Sequence, residues 1–174
     1  MQTFVLAGGC FWCLDAVYRT LRGVTDVVSG YTGGGTTDPT YREVCTGNTG
    51  HAEAVAVSFD EDVIPASVIL DVFFTLHDPT QLNRQGNDIG TQYRSAMFFH
   101  DDAQRALFEE ARDRAAELWG APPVTVIESA GDFYPAEEEH QNFFAKNPGQ
   151  GYCMAVAVPK VIKVRKSFAP YVLG

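Results

Sequence analysis

The feature that most constrains this chain is the segment GGCFWC at residues 8–13, which joins a short apolar run to a helical pattern. Residues 4–7 (FVLA) read as a strand, and apolar residues then recur at helical spacing over residues 14–21. This order predicts a strand, a glycine turn and a helix that begins near Cys10. A thiol at a helix N-terminus lies close to backbone N–H groups and to the positive end of the helix dipole. We therefore expect Cys10 to have a lowered pKa and to act as a nucleophile or redox centre.

Strand and helix patterns follow one another along the whole chain. Period-2 and period-3.6 patterns predict strands over residues 24–31, 53–59, 93–99 and 124–127, and helices after Cys10, Pro65 and Asp101, with a short helix over 136–145. The order predicts an α+β fold with a ferredoxin-like split β-α-β core and additional helices. Residues 38–50 and 78–90 are expected to be long irregular segments. We expect a single catalytic domain over residues 1–174.

The composition excludes several classes of partner. The chain has 174 residues, 45% of them hydrophobic and 20% charged, and its formal net charge is −9. Nucleic-acid binding depends on Lys and Arg that neutralise phosphates, so we expect no nucleic-acid partner. No apolar run is long enough to span a bilayer, so we expect no membrane association. Four cysteines are too few for a disulfide-stapled secreted scaffold, and we expect a cytoplasmic monomer with redox-active thiols.

Glu53 lies in phase with three apolar residues of one predicted strand, Val55, Val57 and Phe59. Side chains alternate between the two faces of a strand, so this phase turns Glu53 toward the core unless, as the first strand residue, it reaches water. Burial disfavours the charged form of a carboxyl group and raises its pKa. The pattern therefore predicts a neutral carboxylic acid at pH 7. Beside a thiolate, such a group forms an acid–nucleophile pair.

The two irregular segments and their neighbours hold further candidate groups. Tyr41 and Tyr93 lie at the segment edges, and each can donate a phenolic hydrogen bond. Asp88 follows a turn signal and gains interest only from these neighbours. His51 and His140 are candidate general bases, although a lone histidine more often has a structural role.

Three more cysteines leave the redox chemistry open. Cys13 completes a C-x-x-C motif with Cys10, which is also typical of thioredoxin-like disulfide oxidoreductases. Cys153 follows the flexible residues GQG and a tyrosine, as a mobile resolving thiol requires, whereas Cys45 is expected to be structural. A zinc-binding structural module is another alternative. It needs a second closely spaced Cys or His pair, which the sequence lacks, so we expect no metal site.

Four segments of the chain together resemble one known family. They read GGCFWC, PTYREVCTGNTGHAEAV (residues 39–55), HDPTQLNRQGNDIGTQYRSA (residues 77–96) and EEEHQNFFAKNPGQGYC (residues 137–153). In order and spacing they resemble the peptide methionine sulfoxide reductases of type A. GCFW with GHAEAV and GTQYRS is highly specific for that family, and the resemblance covers nearly the whole chain. It implies an enzyme that reduces methionine-S-sulfoxide, free or in proteins.

The resemblance implies a role for each candidate residue. Cys10 is the nucleophile that attacks the sulfoxide sulfur, and Glu53 is the acid that protonates the sulfoxide oxygen. This pairing needs a lowered thiol pKa and a raised carboxyl pKa. Phe11 and Trp12 form an apolar pocket for the S-methyl group. Tyr41 and Tyr93 donate hydrogen bonds to the sulfoxide oxygen, and Asp88 shapes the site.

The resemblance also implies how the nucleophile is regenerated. Attack leaves a sulfenic acid on Cys10, which a second thiol converts to a disulfide. Cys153 matches the position where many members have the resolving cysteine, and Cys13 stands where many members have glycine. We expect Cys153 to resolve first, with Cys13 as the alternative or a relay. Thioredoxin or a similar dithiol then reduces the disulfide, and the family requires no metal or organic cofactor.

Overall fold

Eight strands form one six-stranded sheet and one small hairpin in the computed structural model, which describes residues 1–173. In chain order the strands are β1 Gln2–Gly8, β2 Val24–Thr32, β3 Ala52–Phe59, β4 Arg84–Gln85, β5 Asp88–Ile89, β6 Ser95–Phe99, β7 Val126–Ser129 and β8 Phe133–Pro135. The sheet has the order β7-β6-β1-β3-β2-β8, and β4 pairs with β5. Neighbouring strands of the sheet are antiparallel except β6 and β7, which are parallel.

Six α-helices within residues 1–173 connect or follow these strands. They are α1 Phe11–Tyr18, α2 Tyr41–Cys45, α3 Ala66–Leu76, α4 Asp102–Trp119, α5 Phe143–Lys146 and α6 Val158–Ser167. A π-helical turn, Cys153–Ala157, leads directly into α6. The chain order β1-α1-β2-β3-α3-β6 and the spatial order β6-β1-β3-β2 together form the split β-α-β arrangement, so the predicted α+β fold class is confirmed.

The ends of the longest helix follow from its sequence. Asp101 Oδ1 accepts a hydrogen bond of 2.8 Å from Gln104 N, which satisfies one of the free N–H groups at the start of α4. Gly120 ends the helix with a φ of +66°, in the left-handed region that favours glycine. Within residues 1–173, no helix combines the length and the apolar character needed to cross a membrane.

The two segments predicted to be irregular contain short regular elements. Residues 38–50 include α2, which starts with a reciprocal capping box: Thr40 Oγ1 accepts from Glu43 N, and Glu43 Oε1 accepts from Thr40 N. Residues 78–90 include the β4–β5 hairpin. The predicted helix over 136–145 is instead a 3-10 turn, Glu138–His140, followed by α5.

Alternate residues of the central strands face two different clusters of buried side chains. Val55, Val57 and Phe59 join the larger cluster, which is shared with α1, α3, α4 and α6. Ala52 and Ala54 belong to a smaller cluster on the other face. Glu53 has the phase of the larger cluster and is fully buried, which confirms the predicted burial.

Candidate active site

Cys10 is positioned by a turn that only glycine accommodates well. Gly9 has a φ of +96°, and a Cβ there would lie 2.9 Å from the Gln85 side chain, so both conformation and space favour glycine. Cys10 follows in an extended conformation and is the N-cap residue of α1. Its side chain is almost fully buried, with 7% exposed. The chain turn therefore places the thiol inside the protein, at the start of the first helix.

Glu53 approaches this helix start from β3. Its Oε1 accepts a hydrogen bond of 3.2 Å from Phe11 N, the first N–H group of α1. Its Oε2 is buried and has no hydrogen-bond partner among residues 1–173. Burial raises the pKa of Glu53 to about 8, and the nearby charge of Asp88 adds to this rise. Most Glu53 side chains therefore carry a proton at pH 7.

The predicted lowering of the Cys10 pKa is wrong. Burial raises the pKa of the Cys10 thiol well above its usual value, and the charges of Glu53 and Cys13 raise it further. The hydrogen bond from Trp12 N acts in the opposite direction but does not outweigh burial. The helix terminus was correctly predicted from the sequence, but the surrounding apolar side chains come from distant parts of the chain. Both the thiol and the carboxyl group are consequently protonated at neutral pH.

The two predicted phenols lie beside this pair. Burial raises the pKa values of both Tyr41 and Tyr93, and the charges of Glu53 and Cys10 raise them further. Both hydroxyl groups therefore stay protonated near neutral pH and can donate hydrogen bonds. Tyr41 is fixed at the start of α2 because its backbone N donates to Glu137 Oε2 at 3.0 Å.

Five aromatic rings form one wall of the site. Trp12 stacks on Phe143 with ring centroids 3.7 Å apart and an angle of 4° between the planes. Trp12 Nε1 donates to His140 Nδ1 at 3.1 Å, and the His140 ring lies 4.3 Å from Tyr41. Phe11 is fully buried and packs 5.7 Å from the His140 ring. This wall offers an apolar surface next to the Cys10 thiol.

Asp88 reaches the site from the β4–β5 hairpin. Its Oδ2 accepts a hydrogen bond from the Tyr152 hydroxyl, and its charge raises the pKa values of Glu53, Cys10 and Cys13. The Cys13 thiol in turn donates to the Tyr152 hydroxyl at 4.0 Å. Asp88 is thus brought to the same site as Cys10 and Glu53, although it lies on a hairpin that the sequence patterns did not predict.

All four cysteines are free thiols. Cys13 is 1% exposed and Cys153 is 0% exposed. Burial raises the pKa of Cys13 to about 11. A C-x-x-C oxidoreductase of the thioredoxin-like class depends on an attacking thiol with a lowered pKa. The raised pKa values of Cys10 and Cys13 do not fit that alternative.

The two histidines considered as general bases each form hydrogen bonds that give them a structural role. His51 accepts a hydrogen bond of 3.0 Å from Gly34 N through Nδ1, and its Nε2 lies 2.6 Å from Thr36 O. His140 Nδ1 accepts from Trp12, which orients the indole ring. His51 shapes the loop after β2, and His140 positions the aromatic wall.

Several residues near the site were missed or misjudged from the sequence. Cys45 was expected to be structural, but it is exposed at the end of α2, where its thiol interacts with the Tyr41 hydroxyl. Phe143 and Glu137 come from the segment EEEHQNFF, whose density of aromatic and acidic residues was the available signal. Tyr152 was visible only as the neighbour of Cys153.

One group of side chains has the spacing of metal ligands. Ligand atoms of Glu137, Glu139 and His140 lie within 4.8 Å of one another, in the part of the chain that the structure describes. Both Glu137 oxygens already accept hydrogen bonds, from the Tyr31 hydroxyl and from Tyr41 N. His140 Nδ1 is occupied by Trp12. Glu137 and His140 therefore support the aromatic wall through these hydrogen bonds.

The Cys10 thiol beside a protonated carboxyl group supports thiol chemistry assisted by an acid. The fold and this site define the protein as a thiol-dependent oxidoreductase. The family model of peptide methionine sulfoxide reductase matches residues 2–171. The peptide methionine sulfoxide reductase MsrA of Clavibacter michiganensis is 74% identical over 172 residues, which are 99% of this chain and 98% of that protein.

Solved structures agree in fold. Reduced Mxr1 from Saccharomyces cerevisiae has a TM-score of 0.83 at 38% identity. The match covers 87% of this chain and 88% of the Mxr1 chain. The same yeast protein in complex with Trx2 has a TM-score of 0.58 at 28% identity, covering 82% and 84% of the two chains. The chain belongs to the peptide methionine sulfoxide reductase family. Its reaction is the thiol-dependent reduction of methionine sulfoxide.

Proposed function

We propose that Cys10 and Glu53 together reduce methionine-S-sulfoxide, free or in proteins, within one catalytic domain that spans residues 1–174. The observation that carries this proposal is the buried Glu53 Oε2, which has no hydrogen-bond partner among residues 1–173. A buried polar atom without a partner is unfavourable by about 1–3 kcal/mol. A sulfoxide oxygen bound above Cys10 supplies the missing partner and receives the proton of Glu53.

Protonation of both groups defines the order of proton transfers. Glu53 donates its proton to the sulfoxide oxygen while Cys10 sulfur attacks the sulfoxide sulfur. The Glu53 carboxylate that results takes the proton of the Cys10 thiol. The oxygen moves to Cys10 as a sulfenic acid and methionine leaves, so the sulfoxide gains two electrons and the thiol loses two. Glu53 ends the step protonated, as it began.

The neighbouring side chains bind the rest of the substrate. Tyr41 and Tyr93 donate hydrogen bonds to the sulfoxide oxygen, where negative charge increases during attack. Phe11 and Trp12 accept the S-methyl group on the aromatic wall, and Asp88 shapes the polar side of the site. Cys10 and Glu53 act on the pKa values of Tyr41 and Tyr93, and Phe11 N donates to Glu53. Trp12 and Asp88 both act on the pKa of Cys10.

Cys153 is the thiol we assign to the second step. Its thiol attacks the sulfenic sulfur of Cys10, a disulfide forms, and the hydroxyl group leaves with the thiol proton as water. Thioredoxin or a similar dithiol then exchanges with this disulfide and returns both cysteines to thiols. The complex of the yeast relative with Trx2 supports a partner of this class. We place the enzyme in the cytoplasm as a monomer.

Single-turnover assays on serine variants test these assignments. Cys10→Ser is expected to release no methionine while keeping the far-UV circular dichroism of the parent protein. Cys153→Ser is expected to release one equivalent and then stop, because the first step needs only Cys10. Full activity of Cys10→Ser would refute the nucleophile.

Mass mapping of the parent protein after one turnover without reductant identifies the resolving thiol. We expect a Cys10–Cys153 disulfide. A Cys10–Cys13 disulfide would overturn the assignment of Cys153 and leave that of Cys10 intact.

A further inference from the structure

The side chain of Tyr152 joins the segment before Cys153 to the reaction site. Its hydroxyl donates to Asp88 Oδ2 and accepts from the Cys13 thiol at 4.0 Å. Its ring meets Trp12 edge-on at 5.9 Å. Tyr152 thus contacts three residues of the site, on α1 and on the β4–β5 hairpin.

Cys153 is buried close to α1, where it contributes to the raised pKa of Cys13. Its side chain is 0% exposed, and it is the first residue of the π-helical turn that leads into α6. Its backbone N donates to Gln150 Oε1 at 2.9 Å. Reagents in solvent therefore reach the Cys153 thiol only when the segment that carries it opens.

The chain on the N-terminal side of Tyr152 contains two glycines. Residues 147–151 read NPGQG and are exposed. A Cβ added at Gly149 or Gly151 would meet no atom within 4 Å, so no other part of the protein packs closely against these two positions. The π-helical turn on the other side is a rare conformation that inserts an extra residue into a helix and is common at functional sites. Among the side chains of residues 147–152, Asn147 Nδ2 donates to Phe143 O at 3.2 Å, and Tyr152 is the one that bonds to Asp88 and Cys13.

We propose that Tyr152 is a positioning residue that holds the Cys153 segment closed in the reduced enzyme through its hydroxyl bond to Asp88. Opening the segment breaks this bond and frees Cys153 to reach the sulfenic acid. The hydroxyl thereby controls the second step and not the attack on the sulfoxide. The proposal rests on the proposed function only in taking Cys153 as the resolving thiol.

Alkylation of the reduced, substrate-free protein tests the closed state without any turnover. Tyr152→Phe removes the hydroxyl and keeps the ring on Trp12. A hydrogen bond to a charged group is strong enough that its loss should raise the open fraction about 10- to 100-fold. We expect iodoacetamide to label Cys153 faster by this factor, measured by mass spectrometry relative to the exposed Cys45. Tyr171→Phe, which removes a half-buried phenol on the C-terminal side of α6, should leave Cys153 labelling at the parent level.

A second variant and a second readout separate this role from general loosening. Asp88→Ala removes the acceptor and should raise Cys153 labelling like Tyr152→Phe. In single turnover, Tyr152→Phe should speed disulfide formation relative to methionine release, whereas a merely damaged segment would slow it. Unchanged Cys153 labelling in both variants, or slower disulfide formation in Tyr152→Phe, would overturn the proposal. A mapped Cys10–Cys13 disulfide would instead remove Cys153 as the resolving thiol, and the labelling result would still decide whether Tyr152 holds the segment closed.

Discussion

Replacing Glu53 by Gln should stabilise the protein while it removes the acid. In the folded protein the pKa of Glu53 is raised from 4.5 to about 8 by burial. In the unfolded chain at pH 7 the same carboxyl is ionised, so folding must take up a proton. Glutamine has the same shape, needs no proton, and can still accept the hydrogen bond from Phe11 N through its carbonyl oxygen.

The size and sign of the effect follow from this pKa difference. One pKa unit corresponds to about 1.4 kcal/mol. At pH 7, about 2.5 units above the unfolded pKa of 4.5, the parent protein loses about 3 kcal/mol of stability through Glu53. The contribution of Glu53 is fully present below pH 4.5 and declines as the pH rises to about 8. We therefore expect Glu53→Gln to unfold about 6–12 °C higher at pH 7, with almost no difference at pH 4.

Urea unfolding of both proteins at pH 4, 5.5, 7 and 8.5 measures the difference in the free energy of unfolding, which should be about 3 kcal/mol at pH 7. Glu110→Gln, on the exposed face of α4, is the matched control and should differ from the parent by less than about 0.5 kcal/mol at every pH. A Glu53→Gln protein that is less stable than the parent at pH 7, with no dependence on pH, would refute the neutral buried acid.

Four further substitutions test the site around this pair. Tyr41→Phe and Tyr93→Phe should each lower kcat/KM for methionine sulfoxide about 10- to 100-fold, because each removes one donor to the developing charge; unchanged values would exclude that role. Phe143→Ala removes the ring stacked on Trp12 and should raise KM several-fold with a smaller change in kcat, whereas a pure loss of kcat would contradict a binding role. Cys13→Ser should keep both methionine release and disulfide formation, and loss of the disulfide would identify Cys13 as the resolving thiol.

Local patterns predicted the elements that carry the reactive pair. The phase of Glu53 with Val55 and Val57 correctly predicted its burial, since side-chain direction along a strand depends only on neighbouring residues. The cap at Asp101 and the stop at Gly120 likewise gave the bounds of α4 to within a residue. These features are readable because the residues that determine them lie within a few positions of one another.

The sequence patterns failed where distant segments meet. The sign of the Cys10 pKa shift depends on burial by side chains from several elements and on Glu53, which is 43 positions away in the chain. The position of Cys10 at a helix N-terminus therefore predicted the wrong sign. The contact of Trp12 with His140 joins residues 128 positions apart. The β4–β5 hairpin has two residues in each strand, too few to produce a period. By contrast, the capping box before α2 is readable from Thr40 and Glu43, although residues 38–50 were predicted to be irregular.

The pH dependence of methionine release in a single turnover tests the central claim, that Glu53 is the proton donor for attack by Cys10. Because Glu53 is protonated below a pKa of about 8, the rate constant should be nearly constant at pH 6–7 and fall as the pH rises through 8. Glu53→Gln should be slow throughout and should lack this decline. A rate constant that rises with pH through 8 in both proteins would show that thiolate formation limits the step, and would contradict the role assigned to Glu53.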